Sequence, residues 1–238
     1  KEAKAWNIIL DSSLKLPKVK VEKASWFEKV LTPYVADAVV RSAISASPME
    51  GGMEPRTVKK VADFAFRAHR RGVTALSLIT GLPGGLLLAG AVPADLAQYF
   101  WHLVQISQKL GFLYGWPDLI EDPKRCDEGT RALLTVFTAF MFGSDRAAAA
   151  IINMHEALKK TDGRIRASEL VAAADLTDEA AALHEWMGLT ATRDSLTKTL
   201  ARIVPVIGGL FSGTLSYIAF SKMTGRLNNL LYSLARPD

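Results

Sequence analysis

The chain has 238 residues, enough for one large or two small domains with a sizeable buried core. Apolar residues make up 49% of the sequence and charged residues 22%, a composition that excludes a globally disordered protein. The single cysteine, Cys126, excludes an internal disulfide framework and agrees with a reducing compartment.

The net charge of +5 is unevenly distributed along the sequence. Residues 1–71 hold 14 Lys and Arg against 8 Asp and Glu, residues 72–192 hold 9 against 14, and residues 193–238 hold 6 against 2. Both basic blocks adjoin the two most apolar segments, and neither is interleaved with an aromatic stacking platform. This distribution favours an anionic membrane surface as the partner, and we expect no binding to nucleic acid.

Apolar residues recur at helical spacing, and alternating patterns are almost absent. The sequence therefore predicts an all-α, single-domain multi-helix bundle of about nine helices without a sheet. The first long helix is predicted from Val21 to about Ser47, with Pro33 as the point where it would bend. Proline and paired glycines make residues 47–54 a loop, and Pro55 opens the next helix at the first helical position.

The helix that begins at Pro55 is amphipathic and strongly basic. At 100° per residue, its cationic side chains and Asp63 fall within one arc of about 120°, opposite a side of Val and Ala. Phe64 and Phe66 lie near the two borders of this arc. The candidates for contact with a membrane surface are Arg56, Lys59, Lys60, Arg67, Arg70 and Arg71. Such a pattern is typical of an interfacial membrane helix and also of the solvated outer face of a bundle helix, so both interpretations stay open.

Two glycine-rich segments carry no charge: residues 73–94 and residues 203–221. Pro83 and its flanking glycines divide the first segment into halves of about ten residues, each too short to cross a bilayer. Burial in the core or a shallow dip into one leaflet is the expected arrangement, with the two segments in mutual contact. The glycines assigned to turns and close helix contacts are Gly81, Gly84, Gly85, Gly90, Gly208, Gly209 and Gly213.

A further helix is predicted from Pro93 to about Tyr114, and one side of it is polar. Along this stripe, Asp95, Gln98 and His102 are joined by Gln105 and Lys109 on an otherwise apolar cylinder. The candidates for binding a ligand or a lipid headgroup are Asp95, Gln98 and His102, with His69 of the preceding helix. Asp95 and His102 lie two turns apart, about 10 Å along the axis, too far to hold one ion without a third group. A stripe satisfied by neighbouring helices or water, a binding site, and a catalytic or metal site all remain open.

Beyond an acidic loop, four further helices are predicted. Their approximate bounds are Thr130–Phe142, Ala147–Lys160, Ser168–Ala174 and Asp178–Met187. Residues 161–190 are interpreted as an acidic helical insertion. Its second helix has no Lys or Arg and would repel phosphates, so it is not expected to enter a DNA groove.

Two stretches of the sequence resemble the EcsC protein family. Residues 80–116 (TGLPGGLLLAGAVPADLAQYFWHLVQISQKLGFLYGW) look like its signature region, with a PGG turn, a Pro-Ala-Asp helix start and a Tyr-Gly-Trp ending. Residues 204–231 (VPVIGGLFSGTLSYIAFSKMTGRLNNLL) are similar to its second glycine-rich segment. The resemblance implies a domain over residues 21–238 after an N-terminal extension, residues 1–20. This bacterial family is named for a protein encoded beside an ABC transporter, so the resemblance implies an accessory role near the membrane and no catalytic residues.

Catalytic motifs are absent from the sequence. There is no phosphate-binding GxxxxGK[ST] loop and no Gly-x-Ser-x-Gly elbow. His155 and His184 each begin a stretch like the zinc motif HExxH, but Lys159 and Gly188 stand in place of the second histidine. We therefore assign no catalytic residue, no metal and no cofactor.

The leading hypothesis is a non-catalytic protein on the inner face of the cell membrane, in the cytoplasm, that binds lipid or a membrane protein such as a transporter. The alternative is a soluble small-ligand-binding protein or enzyme with a polar pocket around Asp95 and His102. A third hypothesis is a toxin-like or defence protein whose glycine-rich segments insert into a membrane. The sequence does not fix the oligomeric state.

Overall fold

The protein is described by a computed structural model that covers residues 2–74, 92, 94–122, 124, 126–191 and 212–236. Within these ranges it forms ten α-helices and no strand, so the predicted all-α class is confirmed. The helices are α1 (Glu2–Leu14), α2 (Lys23–Leu31), α3 (Asp37–Ser45), α4 (Pro55–Thr74), α5 (Ala94–Leu113), α6 (Glu128–Met141), α7 (Asp145–Lys160), α8 (Ala167–Ala173), α9 (Thr177–Thr190) and α10 (Ser212–Ala235).

The single helix predicted over residues 21–47 is wrong, because the chain forms α2 and α3 there instead. Pro33 has no N–H to donate to the carbonyl of Lys29, so the helical hydrogen-bond ladder stops at this point. The chain then turns, and Ala36 is extended (φ −67°, ψ 154°) before α3 begins. The proline ends the helix here rather than bending it.

Residues 1–20, predicted as an N-terminal extension, contain a helix that packs against α5 and α9. Trp6, Ile9 and Leu10 share one face of α1 by their spacing, and all three are fully buried. The indole Nε1–H of Trp6 donates to Thr135 Oγ1 of α6 (2.8 Å), and its ring meets Phe100 edge-on. The first helix therefore contributes to the core.

Helices α8 and α9 occupy the segment predicted as an acidic insertion, and both pack against α6. The contact of α6 with α8 is close at Gly129, where a Cβ atom would lie 1.8 Å from the carbonyl oxygen of Ser168. Only a glycine allows the two backbones to approach this far.

The glycine-rich segments fall mainly outside the described residues. Gly81, Gly84, Gly85 and Gly90 of the first segment, and Gly208 and Gly209 of the second, lie outside them, and so does the predicted contact between the segments. Gly213 lies in the first turn of α10. Within the described part, α10 packs against α4, α5 and α6.

Candidate functional site

The polar stripe of α5 runs from solvent into the core. Gln98 is exposed, His102 and Gln105 are buried, and Lys109 is half-buried. The side chain of Asp95 lies outside the described part, and with it the predicted grouping of this carboxylate with His102.

Three side chains of this region form a continuous hydrogen-bonded chain between α4 and α5. His69 Nδ1 lies 2.9 Å from His102 Nδ1, and the two imidazole rings meet edge-on with their centroids 5.2 Å apart. On the other side of His69, its Nε2 lies 2.7 Å from Lys109 Nζ. We call Lys109, His69 and His102 the buried triad.

Gly72 makes room for the His102 ring. A Cβ atom at residue 72 would lie 2.5 Å from His102 Cε1 and 2.7 Å from Nε2, well inside van der Waals contact. Sequence reasoning missed this glycine, although a glycine inside an exposed basic helix costs about 1 kcal/mol relative to alanine and so signals a packing requirement.

Burial sets the protonation of the buried triad. Burial, followed by the positive charge of Lys109, lowers the pKa of His102 to about 4, and burial with Lys109 and His102 lowers that of His69 well below its usual value. Burial, followed by the charge of Lys29, lowers the pKa of Lys109 to about 8. At neutral pH both imidazoles are thus neutral and Lys109 is mainly an ammonium.

This protonation state fixes the direction of the hydrogen bonds. The Lys109 ammonium donates to His69 Nε2, so His69 carries its proton on Nδ1 and donates to His102 Nδ1. His102 then holds its proton on Nε2, which is buried and has no hydrogen-bond partner among the described residues.

The walls around the buried triad are aromatic. Trp101 lies against His102 with ring centroids 4.8 Å apart, and Phe220 of α10 lies 6.4 Å from each histidine ring. Within the described ranges, no three potential metal ligands cluster anywhere. The triad can hold or pass a proton. Among the described residues, no carboxylate side chain is hydrogen-bonded to it.

The glutamines of α5 anchor the segment that follows α1. Gln105 Nε2 donates to the carbonyl of Lys18, and Gln108 Nε2 donates to that of Val19 (2.8 Å). Gln108 Oε1 in turn accepts from the backbone N–H of Val21 (2.9 Å). These bonds satisfy buried polar groups on both sides, so the glutamines hold residues 18–21 in place.

Acidification should destabilise the fold through His69 and His102. Because their pKa values are lowered in the folded chain, the unfolded chain binds more protons below about pH 6.5, and the free energy of unfolding falls as the pH falls towards the folded pKa of about 4. In urea titrations, we expect the wild type to lose about 3 kcal/mol more between pH 6.5 and 5 than a variant with both histidines replaced by Gln. Equal losses in the two proteins would contradict this assignment.

The basic side of α4 faces solvent. We call Arg56, Lys59, Lys60, Arg67 and Arg71 the basic face; all five are exposed. None of them forms an ion pair with a residue that the structure describes. Arg70, the sixth predicted member, is half-buried, and its guanidinium lies 5.6 Å above the ring of Tyr217 in α10.

Sequence reasoning also missed a cleft of about 880 Å³. Its walls come from the loop between α3 and α4, the turn after α5, and the C-terminal ends of α7 and α10. Trp116 and His155 line it, and no motif in the sequence connects the two.

None of the helices in the described part combines the length and the apolarity needed to cross a bilayer. No family model matches the chain, and no curated protein or solved structure shows significant similarity to it.

Proposed function

We propose that this protein binds anionic membranes peripherally, through the basic face of α4. The observation that carries the proposal is the set of five exposed cationic side chains on one side of one helix, without ion pairs to described residues. Each Lys or Arg near an anionic lipid surface contributes about 1 kcal/mol, so five acting together suffice for reversible binding. Integral insertion is not required.

Two exposed aromatic side chains lie beside the basic face and support the same proposal. Phe64 is 44% exposed at the border of the arc on α4, and Tyr217, under the guanidinium of Arg70, is 40% exposed. Aromatic rings next to cationic side chains favour the headgroup region, where one part of the side chain meets hydrocarbon and the other meets water.

The resemblance to the EcsC family points to the same cellular place. A protein encoded beside an ABC transporter would act at the inner face of the cell membrane, where anionic lipids are concentrated. On this proposal, the partner of the basic face is lipid or a membrane protein such as a transporter, and the protein itself carries out no catalysis.

Charge reversal on the basic face should abolish binding to anionic vesicles. We expect the wild type to co-sediment at low salt with vesicles of phosphatidylglycerol and phosphatidylcholine, and the variant Lys59→Glu, Lys60→Glu, Arg67→Glu, Arg71→Glu to remain in the supernatant. Molar salt shortens the screening length to about 3 Å and should release the wild type as well.

A matched control carries the same change in net charge elsewhere on the surface. Lys15, Arg41, Lys124 and Lys160 are exposed and lie outside α4, so replacing all four by Glu should reduce binding far less. Circular dichroism checks that both variants keep their helical content. If the wild type ignores anionic vesicles, or if both variants bind equally well, the basic face is only solvated and the proposal fails.

A further inference from the structure

The cleft missed by sequence reasoning is an amphipathic space. Met49, Met53 and Leu158 supply apolar wall, and Ser47, Trp116 and His155 bring polar atoms to it. The hydroxyl of Ser47 is already committed, since it donates to Glu50 Oε2 (3.0 Å) and accepts from the Glu50 backbone N–H (3.3 Å). The polar atoms that remain uncommitted belong to the other two residues.

Trp116 and His155 are both buried and both lack hydrogen-bond partners among the described residues. Trp116 is 1% exposed and His155 is 6% exposed, and no described residue lies in hydrogen-bond geometry with Trp116 Nε1–H or with either ring nitrogen of His155. Their rings lie side by side, with centroids 6.2 Å apart and planes at 30°. Unsatisfied buried polar groups cost about 1–3 kcal/mol each, so two together call for an explanation.

The side chains that line the cleft carry both signs of charge. Lys23, Lys159 and Arg236 line it, against the carboxylates of Glu50 and Asp162. Just outside the lining, Asp118 also attracts Lys23, Glu156 pairs with Lys159 (3.4 Å) and Arg164 pairs with Asp162 (3.1 Å).

His155 is a neutral ring that offers one donor and one acceptor. Burial, followed by the charge of Lys159, lowers its pKa, against the opposing effects of the nearby Leu234 backbone carbonyl and the Glu156 charge. A neutral imidazole carries one N–H, so two donors on adjacent rings, one from Trp116 and one from His155, have no partner in hydrogen-bond geometry among the described residues.

We propose that this cleft is a binding site for a small monocarboxylate with a short apolar chain. One carboxylate oxygen accepts from Trp116 Nε1–H and the other from the His155 N–H, while the cationic side chains of the lining attract the charge of the ligand. The apolar chain lies against Met49, Met53 and Leu158. This site is separate from the basic face of α4 and does not depend on membrane binding.

The indole N–H of Trp116 reports directly on such a ligand. In ¹H–¹⁵N spectra of the whole chain, we expect octanoate at millimolar concentration to move the Trp116 Hε1 resonance downfield; this peak is identified by its loss in Trp116→Phe. The Hε1 resonance of Trp6 is an internal control, since that group is already bonded to Thr135 and should not move. Octanol, which has the same chain without the charge, should leave the Trp116 resonance in place.

Two variants test the remaining contacts. His155→Phe keeps the ring and removes the donor, and should weaken octanoate binding about tenfold, the equivalent of one hydrogen bond to a charged group. The matched change His184→Phe, away from the cleft, should not. Lys159→Gln, at an exposed position, should weaken binding severalfold, and circular dichroism checks that its helical content is kept. An unmoved Trp116 resonance, an equal response to octanol, or unchanged affinity in both His155→Phe and Lys159→Gln would overturn the proposal.

Discussion

Replacing Trp6 by alanine should lower the free energy of unfolding by about 3–5 kcal/mol. The indole is fully buried between α1, α5 and α6, so its removal leaves a large cavity and takes away the bond from its N–H to Thr135 Oγ1, which still donates to the Arg131 carbonyl. Trp6→Phe should cost less, because it keeps the aromatic contact with Phe100 and loses only the hydrogen bond and part of the volume. Chemical denaturation followed by circular dichroism measures all three proteins.

The control for this prediction is Lys4→Ala on the same helix, at an exposed position. It should change the free energy of unfolding by less than about 0.5 kcal/mol. If Trp6→Ala and Lys4→Ala unfold at the same denaturant concentration, then α1 does not belong to the cooperative core.

Two Gly→Ala substitutions should have effects of opposite sign. At Gly129 the new Cβ would meet the backbone oxygen of Ser168 at 1.8 Å, and backbone cannot give way as a side chain does, so α8 must move away from α6. We expect a loss at or above the upper end of about 1–3 kcal/mol. At Gly225, inside α10, nothing lies within 4 Å, and alanine should stabilise the helix by up to about 1 kcal/mol.

Thermal unfolding of Gly129→Ala and Gly225→Ala tests whether the two substitutions change the stability in opposite directions. A lower melting temperature for the first and an equal or higher one for the second is the expected result. Two variants that melt together would mean that α6 and α8 are not held at the close distance described.

The sequence predicted the helical class and most helix positions, because helical periodicity is a local property of the chain. It was wrong where a local break competed with a long apolar pattern: Pro33 ends α2 instead of bending it. It assigned residues 1–20 to an extension, although Trp6, Ile9 and Leu10 already have the spacing of a buried helical face. The burial of this face depends on its partners on α5 and α9, which the spacing within α1 does not reveal.

The candidate sites could be predicted only in part, for a physical reason. The sequence indicates His69 and His102 as candidate site residues. Their contact, however, depends on how α4 crosses α5 and on the absence of a Cβ atom at Gly72. The cleft was not predicted at all. Trp116 and His155 lie in different parts of the chain, and no spacing rule relates residues that only tertiary packing brings together.

The hydrogen bonds of the buried triad have a direction, and that direction is reversible. While Lys109 is charged, each N–H points away from it, and the last one, on His102 Nε2, lies beside Gly72. Mildly alkaline solution removes the proton from Lys109, whose pKa is about 8, and its amine nitrogen can then accept a bond. Both imidazoles can exchange tautomers together, which turns Nε2 of His102 from a donor into an acceptor. The polarity of the core beside Gly72 thus follows the protonation of a half-buried lysine two rings away, without displacement of any heavy atom.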